Sequence, residues 1–265
     1  MHAENGLIFR PNPCLKSHSV SLVISALHLV SYESMEIFFR LLFGHLLADF
    51  TLQTNFIADW KRRSFVGLLV HVFIHPVCYV ALVWPYLNQA WINPFGVPLN
   101  GWLCIGIATV LHFFEDWFRV TQINRGWTDN TIFYFWDQAV HIGVLWLLVP
   151  RTQPLEDIWP ILGAIFVVVT HFATVTIWFV EKDIFGRNYP ETEEKYISIL
   201  QRLVVWLVFF LPQPWWIIIL AAVLGGFGRH VWMKRIDFSW TSVAMGNLIA
   251  VTCGLISRFG VGYHF

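Results

Sequence analysis

The chain has 265 residues, of which 57% are hydrophobic and 13% charged, against roughly 25% charged in ordinary globular domains. Its 24 Phe and 15 Trp exclude a disordered chain, and a mean hydropathy of +0.59 argues against a soluble one. With 17 basic and 17 acidic residues there is no charge excess, and no phosphate loop, zinc-finger spacing or basic patch is present, so no nucleic-acid partner is expected.

In chain order, residues 1–34 stand apart. Arg10, Lys16 and the apolar run Ser19–Val30 are similar to the first two regions of a signal peptide, but the run is too short to span and no small-residue cleavage site follows. This segment reads either as an extension upstream of a natural start at Met35 or as a short interfacial helix. Beyond it, a bilayer core of ~30 Å needs about 20 apolar residues per helix. About eight such stretches follow, roughly at 36–56, 64–86, 100–118, 131–150, 158–182, 196–211, 214–231 and 239–257. Pro and Gly punctuate the gaps, as at Asn93-Pro94, Pro98, Pro150, Pro190, Pro212 and Pro214. The predicted fold class is all-α, a polytopic membrane helix bundle of about eight transmembrane helices. Three parts are expected: the extension 1–34, a four-helix membrane core over 35–150 carrying a His/Asp site, and C-terminal membrane helices over 151–265. The four cysteines, Cys14, Cys78, Cys104 and Cys253, are scattered without a CxxC, so neither a disulfide framework nor a thiolate metal site is indicated.

Alternate loops are basic. One side holds Lys61–Arg63, Arg119 and Arg125, then Lys182, Arg187 and Lys195, then Arg229, Lys234 and Arg235; the other holds Arg151, Arg258 and Arg40 at a helix start. The positive-inside rule puts the first group in the cytoplasm. Trp84, Trp91, Trp159, Trp215, Trp216 and Trp240 sit near span ends, as an aromatic belt does.

Ionisable residues inside spans are expensive and mark function by default. They concentrate in the first four stretches as i, i+4 pairs: His45/Asp49, His71/His75, His112/Asp116 and Asp137/His141. Residues four apart share one helix face. Counted from the cytoplasmic ends, Asp49, His71, His112 and Asp137 fall at one depth, roughly 10 Å in at about 1.5 Å per residue, which predicts convergence on one intramembrane site. His, Asp and neighbouring Gln53, Gln138 and Glu115 are the ligand types of Zn²⁺ or another divalent transition metal. Seven or eight potential ligands suit one or two ions, or one ion and a general base. A proton relay uses the same inventory. Two plainer readings concern neighbours of these stripes: His171 as a hydrogen-bond partner between helices, and Glu115 as a rim residue paired with Arg119 at i, i+4.

At these residues the chain resembles a family. GHLLADFTLQTNFIADWK is similar to the opening motif of the bacterial and phage membrane family called domain of unknown function 3307, and LLVHVFIHP, LHFFEDWFR and WDQAVHI resemble its next three motifs in order. The resemblance covers about residues 36–150 and extends weakly to EEKYISILQRLVVWLVFF, where the family tends to show Glu-Arg and this chain has Gln201-Arg202. It implies that the His and Asp residues belong together and a place in the bacterial inner (cytoplasmic) membrane, multi-pass; it implies no reaction. The arrangement is also broadly similar to small membrane-bound metal-dependent hydrolases.

The leading reading is a metal-dependent hydrolase acting on a lipid or lipid-linked substrate, with membrane lipids as its partners. His45, Asp49, His71, His75, His112, Asp116, Asp137 and His141 are the expected metal ligands, Asp49, Asp116 and Asp137 the expected catalytic carboxylates, and Gln53 and Gln138 the expected substrate contacts. A proton- or metal-coupled carrier is the second reading. A non-enzymatic subunit of a larger membrane complex, with His ligands to a haem or pigment, is the third.

Overall fold

The computed structural model describes residues 35–150, 155–233 and 239–260. The expectations for residues 1–34, Arg151, Lys234 and Arg235 fall outside these. Among the described residues the chain is all-α, with nine helices and one short two-stranded ladder. Helix α1 is Glu36–Leu46, prolonged by a π turn over Leu47–Leu52; α2 is Asn55–Arg63; α3 is Phe65–Val83. The ladder pairs β1, Ala90–Ile92, with β2, Leu99–Asn100, in antiparallel register. Then come α4, Gly101–Asn124, and α5, Thr131–Leu147. Helix α6 runs Trp159–Phe185 with a π turn at Val168–Phe172; α7 is Thr192–Val208, α8 Trp215–Trp232, and α9 Trp240–Gly260.

Local chemistry sets the boundaries. Thr54, Ser64, Asn100, Asn130 and Ser239 precede helices and accept a hydrogen bond from the backbone N–H three residues on, satisfying donors that a first turn leaves open. Gly186 ends α6 at φ 67°, the left-handed position that lacks a steric penalty only for glycine. Each of the eight predicted stretches contains a helix. Four helices, α3 with its following turn, α6, α8 and α9, are long and apolar enough to cross a membrane.

Three differences from the sequence-based expectations bear on the site. Lys61–Arg63 is not a loop: Thr54 caps a separate helix, α2, whose last turn carries these three cations. Helix α4 runs on to Asn124, so Arg119 sits on a helix rather than in a connection. Trp91 is buried in the core with its indole N–H donating to Tyr86 O at 2.9 Å, so it is a packing residue, not part of a belt.

Helices α1, α3, α4 and α5 share a core of Ile37, Leu41, Tyr79, Val83, Cys104 and Leu145. A second core joins α6, α7 and α9 through Ile165, Val169, Val205, Trp206, Ala250 and Cys253. Leu46, Phe50, Tyr134, Val167 and Phe179 link the two. Polar locks hold the ends. Buried Arg40 donates to Glu36, to Asp157 Oδ2 at 2.5 Å and to Leu82 O at 3.1 Å; it is a tie between α1, α3 and the entry to α6, not a free loop charge. Arg202 donates to Val169 O at 2.8 Å and Thr170 O at 2.9 Å, covering carbonyls of the α6 π turn. At the position where a Glu was in question, Gln201 bonds Asn247.

Candidate metal centre

The polar stripes of α1, α3, α4 and α5 face one another. Each is buried because its helix turns its apolar residues outward: Phe73 and Val77 on α3, and Val110 and Phe114 on α4, are exposed. In a membrane that outer face meets lipid, and the His and Asp side chains find partners only inside.

The links run helix to helix. His75 Nε2 lies 3.1 Å from Asp49 Oδ1. His71 Nε2 lies 3.3 Å from the same oxygen and 3.0 Å from Asp116 Oδ2. His45 Nε2 is 3.5 Å from Asp49 Oδ2, and His112 Nε2 is 3.6 Å from Asp116 Oδ2. The rings of His75 and His112 lie 3.8 Å apart by centroid, and those of His112 and His141 4.2 Å. Gln138 Nε2 donates to Asp49 Oδ2 at 3.1 Å and Asp137 Oδ2 at 3.3 Å. All of Asp49, His71, His112 and Asp137 therefore belong to one connected cluster, as their matched depth implies.

Three sets of side chains within it bring one ligand atom each inside 4.8 Å: Asp49, His71, His75 and His112; His45, Asp49 and His141; and His112, Asp116 and His141. Among the described residues several of their nitrogens have no hydrogen-bond partner: His45 Nδ1 and Nε2, His71 Nδ1, His112 Nε2, and His141 Nδ1 and Nε2. Buried polar atoms are normally paired, and an unpaired one costs about 1–3 kcal/mol. Imidazole nitrogens left open beside carboxylates are the donor set of Zn²⁺ and similar ions. The residues present thus fit a metal, and one or two ions would take up one open nitrogen on several of these rings.

Asp137 belongs to none of the three sets. Its Oδ2 accepts from Arg119 Nη1 at 2.7 Å, which also bonds Asp129 at 2.8 Å through Nη2. The ion pair expected between Arg119 and Glu115 does not form; Arg119 turns to the two aspartates, and Glu115 Oε1 stays unbonded. His171 sits on the α6 π turn and meets Thr170 of its own helix at 3.2 Å, so the expected bond to another helix is absent among the described contacts.

A cavity of about 420 Å³ opens in front of the cluster. Asp49, Asp116, Asp137, Gln53 and Gln138 line its floor, and the five imidazoles lie behind them. Its other walls carry Lys61, Arg62, Arg119, His171 and Lys195. Lys61 is the residue that sequence reasoning missed. Its ammonium lies 3.2 Å from His71 Nε2 and 3.3 Å from Asp116 Oδ1. The signal was the end of the opening motif, ADWK, but as a loop cation it had no reason to reach inward. Lys195, one residue before the predicted span 196–211, is partly buried.

An all-α bundle with four membrane-length helices among its described residues and a buried His/Asp centre defines the class of protein. Residues 37–162 match the family described as protein of unknown function (DUF3307), so the chain carries this family's domain, as its four motifs indicated. The match takes in α1 to α5 and every His and Asp of the cluster. No curated protein and no solved structure matches the chain.

Proposed function

We propose that this is a multi-pass protein of the bacterial inner membrane, with about eight spans, and a metal-dependent hydrolase of a lipid or lipid-linked substrate. The observation that carries the reading is the set of buried imidazole nitrogens left without partners beside Asp49 and Asp116. Helices α1, α4 and α5 count as spans because their polar stripes turn inward, and α7 because its Arg202 is buried against α6. The basic segments support a site toward the cytoplasm.

Asp49, His71, His75 and His112 would hold one ion; His141 with His45 and Asp49, or with His112 and Asp116, would hold a second. A bound divalent ion supplies Lewis acidity and makes water acidic enough to lose a proton near neutral pH. The chain's own residues do the rest. Gln138 orients Asp49 through its amide N–H. Arg119 fixes cavity-lining Asp137 by Oδ2, and its buried Oδ1 has no partner among the described residues. There Asp137 accepts the proton of the attacking water. As the water oxygen bonds to the substrate and the ester bond breaks, that proton passes to the leaving oxygen. The carboxylate is thus regenerated at the end of the cycle.

A lipid substrate is supported by a second, apolar groove of about 790 Å³ between α3 and α4. Leu52 lines that groove, and its neighbour Gln53 lines the polar cavity. An acyl chain beside α3 would therefore leave its headgroup near the site.

Metal analysis of the full chain, purified after growth with zinc, manganese and iron, is the direct test. About one to two ions per chain are expected, with hydrolysis of fluorogenic lipid esters or phosphoesters lost on chelation. A wild-type protein that retains no ion after incubation with each metal removes the reading.

A further inference from the structure

We propose that the cavity in front of the His/Asp cluster binds a phosphate-bearing group, with Lys195 as the ammonium committed to it. The proposal rests on the hydrolase reading for the fate of the bound group, and on the cavity walls for its binding.

Four cations from three helices face this space: Lys61 and Arg62 on α2, Arg119 on α4 and Lys195 on α7. Three of them already have carboxylate partners. Lys61 meets Asp116 at 3.3 Å, Arg62 meets Asp129 at 3.4 Å, and Arg119 holds Asp129 and Asp137. Lys195 differs. Among the described residues no carboxylate lies within ion-pair distance of it. Its ammonium sits instead against the rings of Tyr189 and Tyr196, at 5.7 and 5.8 Å. Lys195 is only partly buried, and the aromatic faces supply only a small part of a counter-charge. Lys195 lines the cavity, so an anion that enters it would meet an ammonium not engaged by a carboxylate.

The distribution of cations favours phosphate over carboxylate. A carboxylate holds its two oxygens in one plane and matches a single bidentate fork. A phosphoryl group presents three terminal oxygens and accepts donors from separate directions, which suits lysines and arginines on three different helices. The floor is consistent once cations sit behind it. Asp49 and Asp116 repel an anion by themselves, and metal ions held by the same side chains reverse that field. Asp137, the carboxylate with an open oxygen, lines the same floor. The same chemistry comes from a lipid headgroup or from a soluble phosphate, and the Leu52–Gln53 junction between groove and cavity makes the headgroup accessible.

The test uses the full chain in phosphatidylcholine nanodiscs, incubated with Zn²⁺, with phosphorus NMR as the readout and metal analysis on the same sample. One arm titrates inorganic phosphate; the other compares discs with and without phosphatidic acid. Saturable perturbation in either arm is expected. Saturation by inorganic phosphate shows that the phosphate alone is recognised, and a response to phosphatidic acid only shows that the headgroup is recognised as part of a lipid. Lys195→Gln should weaken binding about tenfold, in line with loss of one charged hydrogen bond, and Lys195→Arg should restore most of it. Metal content should be unchanged in both. No perturbation in either arm, or equal binding by Lys195→Gln, overturns the proposal. Phosphate binding without retained metal leaves it standing and removes the hydrolase reading; retained metal without phosphate binding does the reverse.

Discussion

Asp49 and His75 meet across the α1–α3 interface, with Asp49 Oδ1 3.1 Å from His75 Nε2. The same carboxylate lies 3.3 Å from His71 and accepts from Gln138. Asp49 thus joins three of the four polar helices, and it is shared by two of the three sets able to hold an ion. It sits on a π turn, a local widening of the helix often found at functional sites.

Replacing Asp49 should therefore disturb metal binding most. In Asp49→Asn, affinity should fall by at least the ~10–100-fold typical of a residue that only supports a ligand. Metal per chain, measured after dialysis against a graded chelator series, checks it. Wild-type retention would show that Asp49 is a packing residue.

Asp137→Asn should behave differently. Its charge compensates Arg119, whose side chain is 14% exposed, so its loss leaves a largely buried guanidinium with one partner fewer. Breaking such a pair costs about 3 kcal/mol. Thermal unfolding in detergent should shift downward while metal content stays near wild type, and hydrolysis should fall. Loss of metal with unchanged stability would place Asp137 among the ligands instead.

Lys61 occupies the edge of the cluster between His71 and Asp116, a position a divalent cation would also favour. Lys61→Met should tighten metal binding by about fivefold, the ~1 kcal/mol of a partly exposed charge pair. Competition with a metal-sensitive dye reads this out, and weaker binding in the variant would contradict it.

Gly67 lets α2 fold back on α3. A Cβ there would lie 2.5 Å from the Trp60 carbonyl carbon and oxygen, and a backbone neighbour cannot rotate away. Gly67→Ala should cost about 1–3 kcal/mol in stability, as overpacking does, and should displace Lys61 with its helix. Unfolding at the wild-type temperature would mean that α2 moves freely.

Reporter fusions at Arg125 and Gln153 should fall on opposite sides of the membrane, since α5 lies between them and the basic segments alternate. Same-side reporters would remove the eight-span topology.

The i, i+4 pairs alone already placed the centre. A turn is 3.6 residues, so His45 with Asp49 and His112 with Asp116 share a face whatever surrounds them. Four such faces in apolar helices have only one another to meet, because lipid solvates none of them. Helix positions and the cluster follow from that local geometry and from the desolvation of charge. The tertiary structure decided what periodicity does not encode. Lys61 reaches Asp116 across 55 residues, and Arg119 turns to Asp129 and Asp137 although Glu115 is one turn away. His171 and Lys195 reach the cavity from α6 and α7, outside the four polar helices. Such pairings depend on how helices pack and on which of several nearby carboxylates gives a cation more compensation. Those distances exist only once the chain is folded.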